Sequence, residues 1–296
     1  MKTKSIICAA RNSFVGVVCA GTVMLIISSA PAQNLFVSGS SFGNGTITEI
    51  TPSGAQSIFA SGLSSPERLA FNSAGDLFEA DYNSGNIYEF TATGVRSTFA
   101  SGLSQPQGLA FNNAGDLFVA CTNTIYEFTA TGVRSIFASV SSAPVGLAFN
   151  SAGDLFVAQP NFIYEYTPGG VQSTFASGVS SSGGLAFDSA GNLFVTANIN
   201  IYEYTPDGVQ STFASGVFFS GGLAFDSAGN LFVTANNSVY EYTPGGVRST
   251  FASGLNSPDA LAFQGESLPV PEPSALGLLA VGTTVLLVQR RRKLAA

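Results

Sequence analysis

The triplet Leu-Ala-Phe ends at Phe71, Phe111, Phe149, Phe187, Phe225 and Phe263, at spacings of 40 residues and then 38 four times over. A repeat of this length is one small unit that cannot bury its apolar face alone, so copies must stack or close into a ring. Each of the first five triplets is followed by a turn: NSAGD (72–76), NNAGD (112–116), NSAGD (150–154), DSAGN (188–192) and DSAGN (226–230). Glycine there supplies the positive φ of a short hairpin loop, and Asn or Asp favours the start of the turn. A Leu-Phe pair comes next, at Phe36, Phe78, Phe118, Phe156, Phe194 and Phe232. Then follow ITEI, IYEF, IYEF, IYEY, IYEY and VYEY, and after each of these SIF or STF with a link of small residues. Every unit therefore reads as four short strands rich in aromatic and β-branched residues. Four-stranded units of about 40 residues are the blades of an all-β propeller.

The phase of the repeat gives the closure. The first repeat begins at Asn34-Leu35-Phe36-Val37, a second strand, and the last ends at Leu261-Ala262-Phe263, a first strand. The last strand is expected to complete the first blade, which makes a six-bladed β-propeller over residues 33–266. The same repeat places Glu49, Glu89, Glu127, Glu165, Glu203 and Glu241 seven residues before Gln56, Arg96, Arg134, Gln172, Gln210 and Arg248. A four-residue loop such as 91–94 would set Glu89 opposite Arg96, a cross-strand pair worth roughly 0.2–1 kcal/mol. A residue present in every blade sits near the rim in equivalent copies, whereas catalysis needs different residues converging on one point.

Composition narrows the function classes. Seven of the eleven basic residues lie at the two ends: Lys2, Lys4, Arg11, Arg290, Arg291, Arg292 and Lys293. Between them stand four arginines and all eighteen carboxylates, a net of −14 with no lysine. Such a surface repels phosphate backbones, so no nucleic-acid partner is expected. There is no histidine, which excludes Ser-His-Asp and Cys-His catalysis as usually built and removes the commonest zinc ligand. Beyond the leader, Cys121 is the only cysteine and reads as a small buried residue in LFVACTN. No dinucleotide fingerprint, P-loop, zinc spacing or EF-hand loop is present. The DSAGN segments share the start of a calcium loop without its remaining ligands, and read as turns.

The two ends carry addresses. Residues 1–32 have a basic start, an apolar run from Phe14 to Ile27 and an Ala30-Pro31-Ala32 cleavage site, the order of a helical signal peptide. An uncleaved anchor is the alternative. At the other end Val270-Pro271-Glu272-Pro273-Ser274 precedes an apolar run, Leu276–Val288, and then Arg290-Arg291-Arg292-Lys293. With Ser274, Ala275 and Gln289 the run approaches the length of a membrane-spanning helix. The basic cluster would stay cytoplasmic by the positive-inside rule. A linker over 267–273 and a hydrophobic helix with a basic tail over 274–296 are expected. This order of parts resembles the PEP-CTERM sorting signal. The resemblance implies transient inner-membrane anchoring through residues 274–289, and recognition and removal by an exosortase. It further implies a Gram-negative-type bacterium that makes extracellular polysaccharide. An ordinary C-terminal anchor would still hold the propeller outside the inner membrane.

The repeat GLAFDSAGNLFV and its spacing also resemble the NHL-type and gluconolactonase-like six-bladed propellers, over roughly residues 33–266. In the gluconolactonase family a divalent metal, commonly calcium, is held at the channel end by a Glu, two Asn and an Asp just before innermost strands. The comparable positions here are Glu67, Gln107, Val145, Gly183, Gly221 and Asp259. Glu67 and Asp259 match the acidic ligands in type, no asparagine occupies the others, and Gln107 is the third oxygen donor. Residues 171–198 and 209–236 differ only where Ser180-Ser181 become Phe218-Phe219. Blades so alike contribute bulk, and the two phenylalanines are an expected contact for sugar or a protein partner. Three readings follow. One is a non-enzymatic binding or scaffolding ring at the cell surface or in the extracellular matrix, partnered by extracellular polysaccharide or a surface protein. Another is a calcium-dependent, lactonase-like hydrolase built on Glu67 and Asp259. A carbohydrate-binding module resting on Phe218 and Phe219 is a third.

Overall fold

A computed structural model describes residues 33–41, 44–180, 182–218 and 220–265. The signal peptide with Ala30 and Ala32, Phe219, the Pro271-Glu272-Pro273 motif and the hydrophobic tail 274–289 lie outside the described residues. Within them there is no helix long and apolar enough to cross a membrane. The described chain forms twenty-four strands in six antiparallel sheets of four, the six blades that the repeat predicts.

Each blade runs outward from the channel. Blade two, for example, is built from Pro66–Phe71, Leu77–Asp81, Asn86–Phe90 and Arg96–Ala100. The second strands, such as Leu117–Cys121 and Leu193–Ala197, are buried along their whole length. They are covered on both faces by neighbouring blades, so they read as continuous apolar runs. The Leu-Phe phenylalanine is the joint between blades. Phe78 packs edge-on against Phe99 of its own blade at 5.1 Å and against Phe111 of the next at 5.0 Å. Such pairs add roughly 0.5–1.5 kcal/mol beyond the area they bury.

The turns follow one rule. In NSAGD, Asn72 Oδ1 accepts the backbone N–H groups of Ala74 and Asp76, at 3.0 and 2.8 Å. In DSAGN, Asp188 Oδ1 accepts those of Ala190 and Asn192, at 2.9 and 2.8 Å. Asn and Asp exchange places between the blades because the turn requires an acceptor oxygen first and tolerates either side chain last.

Closure is as expected. The strand Pro258–Phe263 pairs antiparallel with Leu35–Ser41, with Leu35 opposite Phe263, so the C-terminal strand is the innermost strand of blade one. Phe232 of blade six then meets Phe263 at 4.9 Å, and the aromatic joints run through the seam.

The expected Glu89–Arg96 pair does not form. Glu89 faces Ser97, and Arg96 faces Phe90. The loop closes through Thr91 N–H to Val95 O at 3.1 Å, so Val95 belongs to the turn, which has five residues. A slip of one residue reverses the face of every side chain. Arg96 instead lies over the Tyr88 ring at 5.0 Å, as Arg134 does over Tyr126 and Arg248 over Tyr240. At exposed sites such contacts contribute about 0.5–1 kcal/mol each.

Candidate functional site

The central channel has two unlike ends. A cavity of about 1180 Å³ opens on the face that carries the inner turns, with the Leu-Ala-Phe triplets as its walls. Its deepest lining residues are Arg68, Gly146, Gly184, Gly222 and Ala260. One residue further along the innermost strands are Glu67, Gly183, Gly221 and Asp259, and there the strands close on one another. A Cβ on Gly184 would sit 2.7 Å from Gly221 O, and one on Gly222 would sit 2.8 Å from Ala260 Cα. The Gly-Gly pairs of blades five and six thus permit contact between innermost strands, and their likeness reflects packing.

Hydroxyl groups fasten this closed end. Thr196 Oγ1 accepts Gly184 N–H at 2.8 Å and donates to Gly221 O of the next blade at 3.0 Å. Thr234 Oγ1 accepts Gly222 N–H at 2.8 Å and donates to Asp259 O at 2.6 Å. Ser38 Oγ accepts Ala260 N–H at 3.0 Å and donates to Glu67 O at 2.7 Å. The three hydroxyls couple blades five to six, six to one and one to two, on both sides of the closing strand.

Glu67 and Asp259 are brought together, and the residue between them and the channel is Arg68. Its Nη1 lies 3.8 Å from Asp259 Oδ2, and its Nη2 reaches the far wall, 3.6 Å from where a Gly183 Cβ would be. Burial raises Glu67 to about 8, helped by the Asp259 charge and the hydrogen bond shared with it, while Arg68 acts in the opposite sense. A second acid lies behind them. Glu79 is fully buried, neither carboxylate oxygen has a hydrogen-bond partner, and burial, then the nearby Asp81, holds its pKa well above the ordinary value. Asp81 itself is satisfied, accepting Ser64 N–H at 2.7 Å and Ser84 N–H at 3.1 Å.

Arg68 and Glu79 escape a reading that looks for repeated or family-type residues. Both are visible as breaks in the repeat. Arg68 stands where the other blades have Gly108, Gly146, Gly184, Gly222 and Ala260, and Glu79 where they have Val37, Val119, Val157, Val195 and Val233.

These residues do not fit a calcium ion. Calcium takes six to eight oxygen ligands. Here the Arg68 guanidinium already lies beside Asp259, the acidic residue that would have to face the ion. Gln107 is half-buried, and its side chain makes no hydrogen bond to either carboxylate. Among the described residues no group of three or more His, Cys, Asp or Glu side chains is placed to hold a metal. Away from the channel, Phe218 is 52% exposed on its inter-blade link. Cys121 is buried, and burial pushes its thiol up to about 12, so it is a packing residue.

The fold and the closed channel end define a six-bladed β-propeller, and comparison with known proteins adds a sorting signal and structural neighbours. Residues 269–293 match the PEP-CTERM protein-sorting motif, which marks the chain for export and exosortase-dependent placement at the surface or outside the cell. No curated protein matches the sequence. Among solved structures, a chain of a nidogen–laminin complex superposes with a TM-score of 0.72 at 16% identity, over 79% of this chain and 100% of that one. A protein provisionally assigned as a gluconolactonase gives 0.62 at 16% identity, over 70% and 87%. A virginiamycin B lyase from Staphylococcus aureus gives 0.59 at 16% identity, over 79% and 90%. At such identities the likeness is one of fold, which is shared by proteins of different activity.

Proposed function

We propose that the chain works outside the inner membrane as a non-enzymatic binding and scaffolding ring, held to the extracellular polysaccharide or to a surface protein of a biofilm. The observation that carries this reading is Arg68. The channel end where a hydrolase of this fold would hold its metal contains instead a guanidinium of the chain itself, beside Asp259. With no histidine in the sequence and the only cysteine of the propeller buried, no nucleophile or general base of the usual kind takes the metal's place. The exposed Phe218 supports contact with sugar rings or a protein surface at the rim.

The test is affinity electrophoresis of the purified protein through gels containing the producing cell's extracellular polysaccharide, alongside a panel of lactones with calcium. Retarded migration, weakened by Phe218→Ala, and no lactone turnover are expected. Turnover that requires calcium would overturn the proposal.

A further inference from the structure

The inner turns ring the open mouth of the channel in blades two to six, and blade one has no such turn. In its place stand the two ends of the folded chain. Gln33, Gln264 and Gly265 line the mouth beside Asn72, Asn112, Asp188 and Asp226. Gln264 N–H donates to Asn34 O at 3.0 Å, and a Cβ on Gly265 would lie 3.4 Å from Gln33 Nε2. This follows from the seam. The strands Pro258–Phe263 and Leu35–Ser41 occupy the places that a turn joins in every other blade, so the ends leave where that turn would be.

The sorting motif begins close to this exit. Ser274, where the expected membrane segment begins, is nine residues beyond Gly265. Nine residues span at most about 32 Å in any conformation. That is less than the width of a domain of this size, so a propeller held by its tail cannot turn its mouth away from the holding surface. Gln33, the first residue after the expected leader cleavage site, lines the same mouth.

We infer that the channel-mouth face lies against the exosortase-bearing membrane surface for as long as the sorting tail is held there, and that the funnel becomes accessible only in the sorted product. This rests on the sorting reading of residues 269–293. The rim has no affinity of its own for an anionic leaflet. Each inner turn carries one carboxylate, from Asp76, Asp116, Asp154, Asp188 and Asp226, and no inner turn carries a basic residue. The tether alone holds the face in place, so loss of the tail frees it.

The experiment uses the full chain in its own cells, with a single cysteine placed at either end of blade two. Ser73→Cys lies in the exposed inner turn, and Ser84→Cys in the exposed loop at the opposite end. Cys121 is buried and contributes no background. Labelling by a bulky, membrane-impermeant maleimide polymer is followed in spheroplasts lacking exosortase and in the sorted product. Ser73→Cys should react several-fold more slowly than Ser84→Cys in the tethered chain, and at the same rate once sorted. Equal rates in the tethered chain overturn the inference. A chain that is never membrane-held without exosortase overturns the sorting reading beneath it.

Discussion

Glu79 occupies a place where five blades put valine, and its carboxylate oxygens have no partner. A buried ionisable group without partners is a standing cost, offset by the packing around it. Glu79→Val should therefore raise stability by about 1–3 kcal/mol in urea denaturation. The same group sets a pH dependence together with Glu67. Both pKa values are raised in the fold, so the folded chain holds these protons more tightly than the unfolded one. That contribution is complete below the ordinary glutamate value of 4.5 and is lost as the pH rises through about 8. The melting temperature should fall across that window, and Glu79→Val should flatten the fall. Tyr204 is a milder case, with a buried hydroxyl that has no partner at a position where blades two and three have Phe90 and Phe128. Tyr204→Phe should gain about 1 kcal/mol.

At the scale of strands, blades are held to one another by phenylalanine edges and, around the seam, by three hydroxyls. Thr234→Val keeps the shape and removes both the bond to Gly222 N–H and the bond to Asp259 O. It should cost about 1–3 kcal/mol, and Thr234→Ser should recover most of it. The blades themselves were legible in the sequence because every one must bury the same two faces, which forces Leu-Ala-Phe and Leu-Phe into register at each repeat. The seam was legible from the phase of that repeat. The outer hairpin was not, because Val95 looks like a strand residue and only the Thr91–Val95 hydrogen bond shows that it closes the turn. Likewise Glu67 and Asp259 were found by position, but their relation to Arg68 depends on a side chain that crosses the channel, which spacing along one strand does not reveal.

For the whole molecule the ring is closed by its last strand, which pairs with the first. Phe263 packs on Phe232 and lies in the seam opposite Leu35, so Phe263→Ala should cost roughly 3–5 kcal/mol. Calorimetry should show a single unfolding transition for the ring, and loss of residues 255–266 should abolish it. A ring closed in this way, with Arg68 across one end of the channel and the other end open, underlies the proposed role in display and contact. The most direct test of that account is thermal unfolding of the propeller in EDTA and in calcium, with Glu67→Gln in parallel. A ligand present at 100 times its Kd adds about 2.7 kcal/mol to the native state, well within reach of a melting curve. The same melting temperature is expected in both buffers for the wild-type chain. A rise with calcium that Glu67→Gln abolishes would contradict it, because the channel end would then hold a metal and not Arg68 alone.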